Sequence, residues 1–255
     1  MLQLDLSGKI AVVTGGSGEL GRAIVRTLAR CGAGVAIHYF RDHQGARLLL
    51  EELQALGVRG MTVQADVTQS DAVDAMCEAI VHTLGSPHIL VNNAVIQYQP
   101  WTNVLEQPIA DYESQFRSSV LQNVLMAKAF VPEMMRHRYG RFIAISTECV
   151  MQHLPGQSAY VAGKRGMDGV LRVLAMEIGP YQITVNQVAP GWTITERIRR
   201  EGTQCQEAYE STVPLRRRGD DQEIANVVAF LASDLASYIT GAYIPVCGGN
   251  VMPAI

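Results

Sequence analysis

No stretch of this chain holds enough consecutive apolar residues to cross a bilayer, so the sequence predicts no membrane partner. Cysteine is scarce. The five thiols, Cys31, Cys77, Cys149, Cys205 and Cys247, are scattered and odd in number, which argues against a disulfide framework and for reduced thiols in the cytoplasm. Met1-Leu2-Gln3-Leu4-Asp5 lacks the basic start and apolar stretch of a secretory leader. An excess of charge of one sign is also missing: 21 Lys and Arg stand against 24 Asp and Glu, so no dominant basic surface awaits nucleic acid. The six histidines form no metal-spaced cluster, and no metal is expected. No repeat, low-complexity tract or linker interrupts residues 1–255, which read as a single domain.

What is present is an alternation of short apolar runs and helical patterns. Strands are expected at Ile10–Val13, Gly34–Tyr39, Met61–Gln64, His88–Val91, Arg141–Ile145, Ile183–Val188 and Ala242–Val246. Helical spacing follows in Ile24, Val25 and Leu28, in Leu49, Leu50, Leu53 and Leu56, and in Val73, Met76, Ile80 and Leu84. Alternation of this kind predicts an α/β fold, a Rossmann-like doubly wound parallel sheet with helices on both faces. Its ligand belongs outside the carboxyl ends of the strands.

The first strand runs into Thr14-Gly15-Gly16-Ser17-Gly18-Glu19-Leu20-Gly21 and then a helix. Glycines between strand and helix permit a tight turn and close backbone approach, and the helix N-terminus offers N–H groups to a pyrophosphate. Gly16, Gly18 and Gly21 spell a dinucleotide fingerprint in the required strand–turn–helix context.

Further along, Tyr160 and Lys164 are four residues apart, one above the other on a helix. An ammonium beside a phenol favours phenolate, and a more acidic phenol exchanges protons with an alcohol or carbonyl oxygen near neutral pH.

With Asp66-Val67, Asn92-Asn93-Ala94, Asn186-x-Val188-Ala189-Pro190-Gly191, Arg218-Gly219, Thr240-Gly241 and Gly248-Gly249 added, the chain resembles the short-chain dehydrogenase/reductase family almost end to end. The resemblance implies a nicotinamide cofactor, hydride transfer to or from a carbonyl carbon of a small-molecule substrate, and a homotetramer or homodimer packed through helices around 110–135 and 158–178. It implies Tyr160 as general acid/base, Lys164 as its activator and ribose binder, and a hydroxyl on Thr147, thirteen positions before the tyrosine, with Ser146 as the fallback. The family's fourth catalytic position, usually asparagine at a helix kink, falls on Ser119, with Asn123 one turn further as a substitute amide. The implied cofactor contacts are Thr14, Gly15, Ser17, Gly18, Glu19, Leu20, Gly21, Tyr39, Arg41, Asp66, Val67, Asn93, Ala94, Tyr160, Lys164, Pro190, Gly191, Thr193 and Thr195.

Departures from the pattern set further expectations. Glu19 replaces a glycine; its carboxylate suits a first helical turn and is expected to face solvent, away from pyrophosphate. Val95 and Cys247 replace a glycine and an aspartate. Tyr39 occupies the position of the acid that accepts ribose hydroxyls, and Arg41 follows, so NADP(H) is expected over NAD(H), with Asp42 the residue that could serve NAD. A lid is expected over 192–214, with Glu196, Arg197, Arg199, Arg200 and Glu201, and pocket walls at Val95–Trp101 and Glu148–Leu154. Their polar side chains suit a small polar molecule. The leading expectation is an NAD(P)-dependent oxidoreductase interconverting a secondary alcohol and a carbonyl. The alternatives are a dinucleotide-binding or regulatory protein with weakened catalysis, and a non-redox dehydratase or lyase using the same tyrosine.

Overall fold

A computed structural model describes residues 4–96, 101–202 and 206–253. Seven strands, all pairing in parallel, form one sheet: β1 (Ile10–Val13), β2 (Gly34–Tyr39), β3 (Gly60–Gln64), β4 (Ile89–Asn92), β5 (Gly140–Ile145), β6 (Ile183–Pro190) and a last strand, Tyr243–Val246. The spatial order is β3-β2-β1-β4-β5-β6 followed by that last strand. Each expected strand is present within two residues of its predicted ends, the ordinary uncertainty of an element boundary.

The strand side chains alternate between two buried layers. Ala11, Val13, Val35, Ile37, Ile89, Val91, Ile143 and Ile145 face α1 (Glu19–Arg30), α2 (His43–Ala55) and a late helix over Asp221–Ala232. Val12, Ala36, Leu90, Phe142 and Ala144 face α3 (Ser70–Leu84), a helix over Gln122–His137 and a long one over Ser158–Ile178. Strands covered on both faces are mostly apolar, hence the Val, Ile and Ala runs of β1, β2 and β4, with buried exceptions such as His38, Arg141 and Asn186. Burying one side chain such as Phe142 contributes about 1.5–3 kcal/mol.

Within the sheet the chain order reverses at β1, which has β2 on one side and β4 on the other. The turns after β1 and β4 therefore diverge and leave a crevice at the carboxyl edge, where open α/β sheets bind ligands. Around that edge lie α4 (Ile109–Gln115), a π-helical turn over Phe116–Leu121, α5 (Gln122–His137), α6 (Cys149–Gln152) and α7 (Ser158–Ile178). They are followed by β7 (Thr193–Ile194), α8 (Glu196–Glu201), α9 (Glu207–Glu210), β8 (Gly219–Asp220) and α10 (Asp221–Ala232) before the last strand, β9. β7 and β8 form a separate two-stranded pair at the base of the segment expected to be a lid. No described helix is long and apolar enough to cross a membrane.

Candidate active site

The glycine turn is stitched across the crevice. The Thr14 hydroxyl accepts the N–H groups of Asn93 (2.9 Å) and Ala94 (3.0 Å), and the Asn93 amide donates back to the carbonyls of Thr14 (2.9 Å) and Gly15 (3.1 Å). Gly15 adopts φ +61°, and a Cβ on Gly21 would lie 2.1 Å from the Gly15 carbonyl oxygen. No side chain caps the N-terminus of α1, which begins at Glu19. The turn thus keeps a row of backbone donors at a positive helix end, which fits a pyrophosphate. His38, on β2, holds it from beneath: Nδ1 accepts from the Gly15 N–H (3.0 Å) and Nε2 donates to the Ala65 carbonyl (3.0 Å). Burial lowers the His38 pKa, so the ring stays neutral and available as an acceptor.

Glu19 is half-exposed and is tied to the lid segment. Its carboxylate accepts the Arg197 N–H at 2.9 Å, because the first N–H groups of α8 need an acceptor that α8 itself cannot supply. Ser17, Gly18 and Leu20 complete the turn, and the Ser17 carbonyl accepts from Arg22 Nε at 2.6 Å. Asp42, the residue that could serve NAD, is already engaged: it caps α2 through the Gly45 N–H (2.9 Å) and pairs with Arg22 (3.3 Å). Tyr39 is buried edge-on against His43, while Arg41 lies over the Phe40 ring and has no carboxylate partner among the described residues. Asp66 and Val67 follow β3 at the same edge, the Asp66 carboxylate closing a turn on Thr68.

Tyr160 and Lys164 sit in the first turns of α7, facing the end of β5, where Thr147 lies. The structure brings the three together but corrects the expected electrostatics. Lys164 Nζ is 6.0 Å from the Tyr160 ring centre and donates instead to the Ile145 carbonyl at 2.8 Å. Burial, then the neighbouring Cys149 thiol, raise the Tyr160 pKa, while the Thr147 hydroxyl pulls the other way. Burial also pushes the Lys164 ammonium down to about 8. Desolvation disfavours both charged forms, and here it outweighs the attraction between them. Thr147, not Ser146, is the hydroxyl that bears on the phenol. Across the crevice Pro190 and Gly191 close β6, Thr193 donates to the Gly191 carbonyl (2.9 Å), and the buried Thr195 hydroxyl has no partner among the described residues. An orphaned buried hydroxyl of this kind is a further fit to a polar cofactor.

Ser119 lies in the π-helical turn, the kink expected there, and is fully buried with its hydroxyl unpartnered among the described residues. Asn123 supplies an amide: Nδ2 donates to the Ser119 carbonyl (2.7 Å), and Oδ1 accepts from Asn92 Nδ2 (2.7 Å). Removing that amide orphans the buried Asn92 amide nitrogen, at a cost of about 1–3 kcal/mol. Asn123→Ala is therefore expected to lower both thermal stability and turnover, while Ser119→Asn is tolerated or mildly activating. Steady-state kinetics of the two variants check this; normal turnover in Asn123→Ala would exclude a substitute role.

Of the expected pocket walls, Gln97, Tyr98 and Gln99 lie outside the described residues. Trp101 is within them and packs its ring edge-on against Tyr160, centres 5.9 Å apart. Opposite, Trp192 packs against Tyr209 in α9 (5.4 Å), and Leu154 is half exposed near the mouth. Arg22 and Asn250 carry no motif, and Tyr209 is expected only as part of the lid 192–214; folding gives each its partners.

The family model described as enoyl-(acyl carrier protein) reductase matches residues 17–250. The chain is 40% identical over 250 residues to a Pseudomonas aeruginosa protein named 3-oxoacyl-[acyl-carrier-protein] reductase FabG, covering 98% of this chain and 100% of the relative. It is 37% identical over 258 residues to the Escherichia coli K12 protein of the same name, covering 98% and 100%. Among solved structures, a 7α-hydroxysteroid dehydrogenase complexed with NADH and 7-oxo glycochenodeoxycholic acid superposes with a TM-score of 0.88 at 28% identity, over 98% of this chain and 97% of that one. A blue fluorescent protein from a metagenomic library, in complex with NADPH, superposes with a TM-score of 0.88 at 33% identity, over 97% and 100%.

Proposed function

Because this chain belongs to the short-chain dehydrogenase/reductase family and is an NAD(P)-dependent oxidoreductase interconverting a secondary alcohol and a carbonyl, we propose that it reduces a 3-oxo group with NADPH at Tyr160. The observation that carries this reading is the meeting of Tyr160, Lys164 and Thr147 at the carboxyl edge that also holds the glycine turn. Bound there, the nicotinamide supplies the hydride. Gly15 to Gly21, Asn93, Ala94, Pro190, Gly191, Thr193 and Thr195 would hold the dinucleotide, with Asp66 and Val67 beside its adenine end. Tyr160, kept neutral by burial, donates the proton to the carbonyl oxygen, and Thr147 fixes that oxygen by a hydrogen bond. Lys164, held by the Ile145 carbonyl here, would serve the ribose and the phenol once the dinucleotide is bound. Retention of this whole set favours a reductase over a binding protein or a lyase.

Trp101 and Trp192 give the pocket apolar walls at the reacting end, and the Arg197 and Arg200 side chains of the lid 192–214 are exposed or half exposed beside it. That combination suits a carbonyl flanked by an apolar segment, with the polar or anionic remainder the sequence anticipates further out: a 3-oxoacyl thioester. NADP(H) is favoured because Asp42 is committed to Arg22 and Gly45 while Arg41 remains available for a 2′-phosphate. A dimer or tetramer is favoured by the apolar outer face of α5 and α7, where Val173 and Met176 are exposed. We place the protein in the cytoplasm, on the scattered cysteines, of which Cys31, Cys77, Cys149 and Cys247 are free. We read residues 1–255 as one dinucleotide-binding domain.

The test is loss of reduced-cofactor absorbance with an acetoacetyl thioester. NADPH is expected to be used at least about tenfold more efficiently than NADH, and Arg41→Ala to lose most of that preference, since one charge-assisted hydrogen bond is worth roughly 1.5–3 kcal/mol. Turnover with NADH alone, or of polyhydroxy ketones but no thioester, would contradict the reading.

A further inference from the structure

Glu148 directly follows Thr147, is only 3% exposed, and has no cationic partner among the described residues. Its contacts are neutral donors from two distant parts of the chain. Tyr209 donates its hydroxyl to one carboxylate oxygen (2.8 Å), and Asn250 donates its amide to the other (3.1 Å). Each donor reaches further. The Tyr209 oxygen accepts the Trp192 N–H (2.9 Å), and the Asn250 carbonyl accepts the Thr212 hydroxyl (3.1 Å). Gly191 leaves the space this needs: a Cβ there would lie 2.8 Å from the Tyr209 hydroxyl and 3.1 Å from Cys247 Cα.

Burying a carboxylate is costly, and burial raises the pKa of this one. In return, hydrogen bonds to a charged acceptor are roughly twice as strong as neutral ones. The far limb of the lid is thereby gathered onto the strand end that presents Thr147. The near limb, α8, is tied elsewhere: to Glu19 through the Arg197 N–H, to Arg26 through Glu196 (3.2 Å), and to Asp221 through Arg199 (2.8 Å). The two limbs have separate fastenings.

We propose that Glu148 is a positioning residue. It fastens the Tyr209–Thr212 limb, the Gly191–Trp192 turn and Asn250 to the catalytic strand end, so that the wall facing the substrate closes as one unit. This rests on reading Thr147 and Tyr160 as the face of the carbonyl pocket.

The test uses the full chain with Glu148→Gln, Tyr209→Phe and the double variant. The KM for the acetoacetyl thioester is expected to rise roughly 10- to 100-fold in each single variant, as for loss of a hydrogen bond to a charged group, with kcat changed far less. The double variant is expected to be little worse than either single one, because both remove the same fastening. Chymotryptic cleavage in 206–213 is expected to accelerate while tryptic cleavage within α8 does not, a split that general loosening would not produce. Unchanged KM with unchanged cleavage, additive effects in the double variant, or equal acceleration in both limbs would each overturn the proposal. If the wild-type chain reduces no carbonyl compound, the catalytic reading fails, and the cleavage pattern alone decides the role of Glu148.

Discussion

Replacing Tyr160 with Phe is expected to leave the fold and cofactor binding intact and to cut turnover roughly 10²- to 10⁴-fold, the scale of a positioned acid/base. The ring keeps its packing against Trp101 at 5.9 Å, so the loss isolates the hydroxyl. Because burial raises the phenol's pKa, the group stays protonated across the neutral range and holds the proton that reduction of a carbonyl requires. Single-turnover measurement with saturating NADPH checks it, since product release cannot mask the chemical step there. Near-normal turnover in Tyr160→Phe would remove the tyrosine from the mechanism.

Lys164→Met is expected to lose both rate and cofactor affinity, the latter roughly 10- to 100-fold for a charge-assisted contact. It also has a signature in stability. The native ammonium titrates at about 8, below the ordinary value near 10.4. Above about pH 8 the unfolded chain therefore holds a proton that the native chain has released, so this residue's contribution rises with pH until the unfolded lysine titrates. It is fully present above the unfolded value and lost as pH falls through about 8. Cys31, Cys77, Cys149 and several tyrosines, whose pKa values are raised, push stability the opposite way, but equally in both proteins. The difference between wild-type and Lys164→Met denaturation curves isolates the lysine. A difference independent of pH between 8 and 10 would show that Lys164 is not the depressed group described here.

Much of this was legible in the sequence because it is local. The strands are short β-branched runs, and Gly15 to Gly21 and Tyr160 with Lys164 are spaced by the geometry of one turn or one helix. The kink at Ser119 came through the family resemblance, and the structure shows it as a π-helical turn. What escaped is non-local. Glu19 finds its partner 178 residues away, Glu148 finds Tyr209 and Asn250 at 61 and 102, and Arg22 meets Asp42 from another helix. The balance at Tyr160 escaped for a different reason. Spacing places a charge near the phenol, but only the packed interior decides whether attraction or desolvation prevails.

The most direct test is a crystal structure of the chain with NADPH and an unreactive thioester analogue. The account predicts the pyrophosphate on the Gly15–Gly21 turn, the Thr195 hydroxyl partnered, Lys164 moved from the Ile145 carbonyl to the ribose, and the analogue's oxygen within hydrogen-bonding reach of Tyr160 and Thr147. A dinucleotide bound elsewhere, or a Lys164 still held by Ile145 with the analogue's oxygen away from Tyr160, would contradict it.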